Sequence, residues 1–143
     1  MQGKNMRVII DTNILISGLI SNKSAPFKII DAIFQRRLIP LVSQITLAEL
    51  EDVLQRPHLQ VYFKRSAILP TEFLLVFTKL AEMIQVTPQD LQISDKKDQP
   101  FVDLAATFPK PDFIITGDKD FTERVYFDVP VISATRFLET VLN

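Results

Sequence analysis

The chain has 143 residues, a length that fits one domain with a core of two or three layers. Its 16 Lys and Arg stand against 17 Asp and Glu, a formal charge of -1, so no global basic field points to a polyanionic partner. The absence of Cys excludes disulfides and thiolate metal sites, and the lone His excludes multi-histidine zinc centres, so a divalent ion here must be held mainly by oxygen.

Residues 1–5 read as a short polar lead-in to a single domain over 6–143. A β-branched run at 7–10 reads as the first strand, and Ser24 can cap a helix over 26–35. A second strand follows at 38–42, after which Ser43 opens a helix over 44–54. Residues 57–69 are poorly periodic and read as an inserted helix before the one expected over 71–82. A third strand is expected at 83–86, and a helix at 99–108 with Pro100 in its first turn. Strands at 113–116 and 129–132 follow, and Ser133 opens a closing helix over 134–142. Strands that are continuously apolar and alternate with helices predict an α/β fold. Its mostly parallel, about five-stranded sheet is covered on both faces, a three-layer α/β/α sandwich. The longest apolar runs, such as 73–77, fall far below the roughly 20 residues of a membrane span, and no segment has the layout of a signal peptide. A soluble, cytoplasmic protein without membrane contact is the expectation.

In an open α/β sheet, ligands bind beyond the carboxyl ends of the strands. The first strand ends in Asp11-Thr12-Asn13, and the fourth in Thr116-Gly117-Asp118-Lys119-Asp120. Asp98 stands where a helix begins, ahead of the inward stripe of Phe101, Val102, Leu104, Ala105 and Phe108. The helix over 44–54 supplies Glu49, Glu51 and Asp52. Glu49 and Glu51 flank its buried face about equally, so periodicity does not choose between them. Each acid also has a plainer use. Asp11 can cap a helix from Ile14 onward, Asp98 can cap its own helix, Asp118 and Asp120 can belong to a solvated turn, and Glu49 can be a solvated flank charge. Together they point elsewhere: carboxylates converging on one edge repel one another and normally imply a bound cation, for which Mg²⁺ or Mn²⁺ is the natural choice.

Asp11-Thr12-Asn13 after a strand, Glu49-Leu50 on a helix, Asp98 seven residues before Ala105, and Thr116 through Phe121 after another strand resemble the motifs of PIN-domain nucleases. Within that superfamily the chain is similar to PIN-family toxins of bacterial and archaeal toxin–antitoxin systems. The likeness spans most of the chain, including Ser17-Gly18, 50–57 and Phe137-Leu138. The resemblance implies a PIN-like sandwich in which Asp11, Glu49, Asp98 and Asp118 form an acidic quartet and Asp120 is an accessory metal ligand. It thereby favours Glu49 over Glu51. Relatives often read Arg-Asp-Pro before the third acid, where this chain has Ser94-Asp95-Lys96-Lys97. Asp95 and Asp103 therefore stand beside Asp98 as alternatives, although Asp103 sits about 140° further round the helix and should point away.

The implied chemistry is endoribonucleolytic hydrolysis of RNA phosphodiester bonds with Mg²⁺ or Mn²⁺ held by Asp11, Asp98, Asp118, Glu49 and Asp120. Asn13, Thr116, Thr12 and Ser17 are candidates to orient carboxylates or order the first loop, or are plain turn and capping residues. Lys23, Arg56, Lys96 and Lys119 are candidates for phosphate contacts, since the molecule as a whole is neutral. His58 reads as a surface or helix-start residue, and the spacing of Phe73 and Phe77 marks core or dimer packing. Implied partners are an RNA substrate, a cognate antitoxin and a second copy in a homodimer. A phosphatase of the haloacid-dehalogenase type would want an acid where Asn13 stands, and a P-loop needs glycines that this chain lacks. The alternative in another class is a PIN-like fold that binds RNA or a protein partner without cutting.

Overall fold

A computed structural model describes residues 5–86, 98–117 and 125–142. Strand β1 (Met6–Ile10) leads into helices α1 (Thr12–Ile20) and α2 (Ala25–Phe34), then β2 (Leu38–Val42) and α3 (Gln44–Leu54). Helices α4 (Pro57–Phe63) and α5 (Pro70–Leu80) precede the short β3 (Glu82–Met83), α6 (Gln99–Ala105) and β4 (Phe113–Thr116). The chain closes with β5 (Val125–Tyr126), β6 (Val129–Ser133) and α7 (Ala134–Phe137), which runs on into a wider π-helical turn over Leu138–Leu142.

The six strands form one sheet in the order β3-β2-β1-β4-β6-β5, parallel except for the β5–β6 pair. The expectation of about five strands omits β5, which pairs Tyr126 with Val129 around a tight turn. Phe127 and Asp128 in that turn have φ of 52° and 66°, the left-handed values of a two-residue hairpin of the primed type, where Asn-Gly is the usual pair. Two prolines lie inside strands, each beside a point where pairing on one side stops. β3 pairs with Leu41 and Val42 but not with Pro40, and β4 pairs with β6 from Val131 but not with Pro130.

Alternation along the strands splits the core in two. Val8 and Ile10 of β1 and Ile115 of β4 enter a large core with α1, α2, α3, α5 and α7, whereas Ile9, Ile114 and Leu41 enter a smaller one under α6. Phe73 and Phe77 are buried in the large core, stacked with each other at 5.3 Å between ring centres, and Phe34 stacks on Phe73 at 6.1 Å. The helix α1 was foreshadowed only as the segment Asp11 would cap. Six of its residues are buried, so no broad polar stripe marks it in the sequence. At Gly18 a Cβ would lie 2.6 Å from Cδ1 of Ile30 and 2.9 Å from the backbone of Pro26, so this glycine sets the close approach of α1 to α2. No helix among the described residues is long and apolar enough to cross a membrane.

Strand β1 has parallel neighbours on both sides, β2 and β4, reached by chain connections leaving in opposite directions. The sheet therefore has its topological switch point at the carboxyl ends of β1 and β4.

Candidate active site

Asp11 is the first residue past β1, and its N–H still donates to the Ile115 carbonyl of β4 at 3.0 Å. Its side chain is 8% exposed and engages donors on both oxygens. Oδ2 accepts from the hydroxyl of Thr116 at 3.0 Å, and Oδ1 accepts from the N–H of Asn13 at 3.3 Å. Asp11 thus caps α1, as one reading of the sequence had it, and at the same time stands at the switch point. Thr116 is fully buried, pairs with Ser133 of β6, and links the carboxylate to the end of β4.

Glu49 reaches the same edge from α3. Thr12 donates its hydroxyl to Oε2 of Glu49 at 3.3 Å, and Glu49 is half-buried, whereas Glu51 is exposed on the other flank. The α3 start is pinned by a reciprocal cap in which Ser43 Oγ accepts from the Thr46 N–H and Thr46 Oγ1 accepts from the Ser43 N–H. That cap fixes the direction of α3 away from the end of β2 and so the flank on which Glu49 lies.

Asp98 opens α6, and its carbonyl accepts from the N–H groups of Phe101 and Val102. Its side chain is buried but makes no capping hydrogen bond to its own helix, which removes the plainer use considered for it. Asp103 is bonded instead by Nε2 of Gln99 at 2.9 Å. The buried polar side chains among the described residues are Asp11, Thr12, Ser43, Thr46, Asp98 and Thr116, all at strand ends or helix starts of this edge. Beside Thr12 and Thr46 lies a narrow gap with room for about one water, whose lining also includes Ile10, Val42, Leu50 and Phe101.

Other predicted residues are exposed on the surface or lie outside the described residues. Asn13 and Ser17 are exposed, one turn apart on α1, and Lys23 is exposed in the loop before α2. Arg56 follows α3, seven residues past Glu49 and so about 10 Å further along the helix direction, and pairs with Asp52 at 3.3 Å. His58 is exposed on α4. Asp118, Asp120, Lys96 and Lys119 lie outside the described residues, as does Asp95. The sequence reading did not foresee Thr12 as the partner of Glu49. The only signal for it was the Thr that directly follows the strand-end Asp.

Among the described residues no three Asp, Glu or His side chains gather closely enough to hold a metal ion. The donor chemistry is still of one kind: carboxylate and hydroxyl oxygens at a sheet edge, which suit a hard divalent cation and not zinc or copper.

Residues 7–120 match the family model of the PIN domain, a span that includes Asp11, Glu49, Asp98 and Asp118. An uncharacterized protein of the archaeon Methanocaldococcus jannaschii is 31% identical over 121 residues, covering 84% of this chain and 76% of that protein. PIN domains are in general nucleases and in general use divalent metals. The strand order, the acid at the switch point and the matched span agree, and the chain belongs to the PIN-domain family.

Proposed function

We propose that this protein is a metal-dependent endoribonuclease that hydrolyses RNA phosphodiester bonds at the carboxyl edge of its sheet. The observation that supports this best is Asp11: a nearly buried carboxylate at the switch point, oriented by Thr116 and Asn13, with Glu49 tied to the adjacent Thr12. Asp11, Asp98 and Asp118 would hold Mg²⁺ or Mn²⁺, with Glu49 and Asp120 completing the acidic set. When bound, the cation supplies Lewis acidity to the phosphate and acidifies water, so no protein nucleophile is needed. The residues of the chain do the rest. Thr116 keeps Asp11 in one rotamer, and the cap of α3 holds Glu49 on the inner flank. The exposed Asn13, whose N–H donates to Asp11, offers a polar contact to a single-stranded backbone entering the site, and Ser17 and Lys23, further along and beyond α1, would meet that backbone away from the acids.

The resemblance in motif order supports a role as the toxin of a toxin–antitoxin pair, acting in the cytoplasm and silenced by an antitoxin that places a basic side chain among the carboxylates. The exposed apolar residues Val61, Tyr62, Leu69 and Leu75 of α4, α5 and their connection favour a homodimer. The second reading is a binding module of the same fold without turnover.

Incubation with single-stranded RNA and Mn²⁺ decides between the two. Asp11→Asn keeps one oxygen to accept from the Asn13 N–H and cap α1, while its amide Nδ2 can donate to the Thr116 hydroxyl oxygen, so this variant folds yet loses cleavage. Equal cleavage by the variant removes the metal-site reading, and tight RNA binding without any cleavage by the unaltered chain selects the binding module.

A further inference from the structure

Of Asp11, Glu49 and Asp98, the described acids of the set, Glu49 alone stands on a helix flank and not at a strand end or helix start. Its side chain has three rotatable bonds, and it is only half-buried, so packing alone leaves it room to turn away from the edge. A contact that opposes this comes from Thr12. That residue is 4% exposed, β-branched and lines the narrow gap together with Leu50, the neighbour of Glu49 in α3. A buried β-branched side chain has little χ1 freedom, so its hydroxyl oxygen is held 3.3 Å from Oε2, and its proton can turn to donate there. Thr12 also follows Asp11 directly, and Asp11 is locked to β4 through its own N–H. The distance between the Asp11 and Glu49 carboxylates is thereby set across one short link running from strand end to hydroxyl to helix flank.

We propose that Thr12 is a positioning residue for cation binding: its hydroxyl sets the orientation of Glu49 toward Asp11, and the contribution of Glu49 to holding Mn²⁺ or Mg²⁺ depends on it. This rests on the metal-dependent reading above. Thr12 itself need not touch the ion or the RNA. A partner that orients a carboxylate near a metal site typically changes metal affinity by about tenfold or more when removed.

The test is Mn²⁺ affinity measured by electron paramagnetic resonance on the full chain, with thermal melting beside it. Thr12→Val, which removes the hydroxyl at nearly constant shape, is expected to weaken Mn²⁺ binding by about tenfold. Thr12→Ser, which keeps the hydroxyl, stays near the unaltered chain. In a Glu49→Gln background Thr12→Val adds no further loss. Wild-type affinity in Thr12→Val, or the same further loss with Glu49 already altered, overturns the proposal. Should Thr12→Val fail to fold, Thr12→Ala against Thr12→Ser makes the same comparison, since both lack the methyl and differ in the hydroxyl. An unaltered chain that neither binds Mn²⁺ nor cuts RNA overturns the metal-dependent reading together with this one. Intact binding and cleavage that ignore the hydroxyl overturn this one alone.

Discussion

The hydroxyl of Thr116 has no access to water and spends its proton on Asp11. Thr116→Val removes that donor while keeping the β-branched shape that suits β4, and leaves a nearly buried carboxylate short of one partner. A hydrogen bond to a charged group contributes about 1.5–3 kcal/mol, so urea unfolding should show a loss toward that range, with Thr116→Ser recovering most of it. A loss no larger than that of an average surface substitution would mean that Asp11 finds a substitute donor. Arg36 offers the opposite case. It ends α2 in a Schellman arrangement, with its N–H on the Ile33 carbonyl and the Arg37 N–H on the Ala32 carbonyl, both at 2.9 Å. Its φ of 64° is the position where glycine is the usual residue. Arg36→Gly should raise stability by about 0.5–1 kcal/mol in the same unfolding assay, whereas Arg36→Val should lower it.

Between elements the tightest fit is at Gly18. Alanine is the better helix former by about 1 kcal/mol, yet here its methyl would press on Ile30 and on the backbone of Pro26. Gly18→Ala should therefore cost about 1–3 kcal/mol by differential scanning calorimetry. Adding Ile30→Val should return only part of it, because the Pro26 contact is backbone and cannot rotate away. The same level explains what the sequence made legible. β2, α3 and β4 fall on the residues expected of them, since each is bounded by a clear signal: Ser43 with its cap separates β2 from α3, and Gly117 follows β4. The third strand ends early, at Met83, because Ile84 and Val86 meet the smaller core from irregular chain; the helix over 99–108 ends at Ala105, and Phe108, expected on its inward stripe, lies beyond the helix and is 92% exposed. The last helix changes pitch at Leu138, which no 3.6-residue pattern announces. β5 was invisible: it has two residues, and its turn uses Phe127 and Asp128 where the recognisable pair would be Asn-Gly. At the site, strand-end position alone located Asp11, whereas periodicity left Glu49 and Glu51 level and only the resemblance favoured Glu49, whose contact with Thr12 of α1 no helical pattern announces.

The molecule divides its labour between the two edges of the sheet. Asp11 stands at the carboxyl edge with Glu49 tied to its neighbour Thr12, and towards the amino end of β1 Arg7 ties three segments together. Its guanidinium makes a two-point bridge to Glu82 at the start of β3, with 3.1 Å from Nε and 2.9 Å from Nη2, and donates to the Pro109 carbonyl in the connection before β4. Its backbone exchanges hydrogen bonds with Asp112, at 2.9 Å to the side chain and 2.8 Å from the Asp112 N–H. The Arg7 side chain is only 12% exposed, but Glu82 is 42% exposed, so water tempers the ionic part. A double-mutant cycle of Arg7→Lys and Glu82→Gln should give a coupling of about 1 kcal/mol, as Lys keeps the charge but loses the fork. Cleavage should be little changed in these variants, because the bridge lies at the edge opposite the acids.

Strand pairing between β1 and β4 does not stop where β1 stops. The Asp11 N–H donates to Ile115, placing a proposed catalytic residue inside the ladder at the centre of the sheet. Amide protons in such central ladders exchange with solvent only when the whole domain opens. The Asp11 amide should then exchange with deuterium as slowly as those of Ile9 and Ile115, and far more slowly than exposed helix-end amides. On heating, the anchoring of Asp11 would consequently persist until the sheet itself melts.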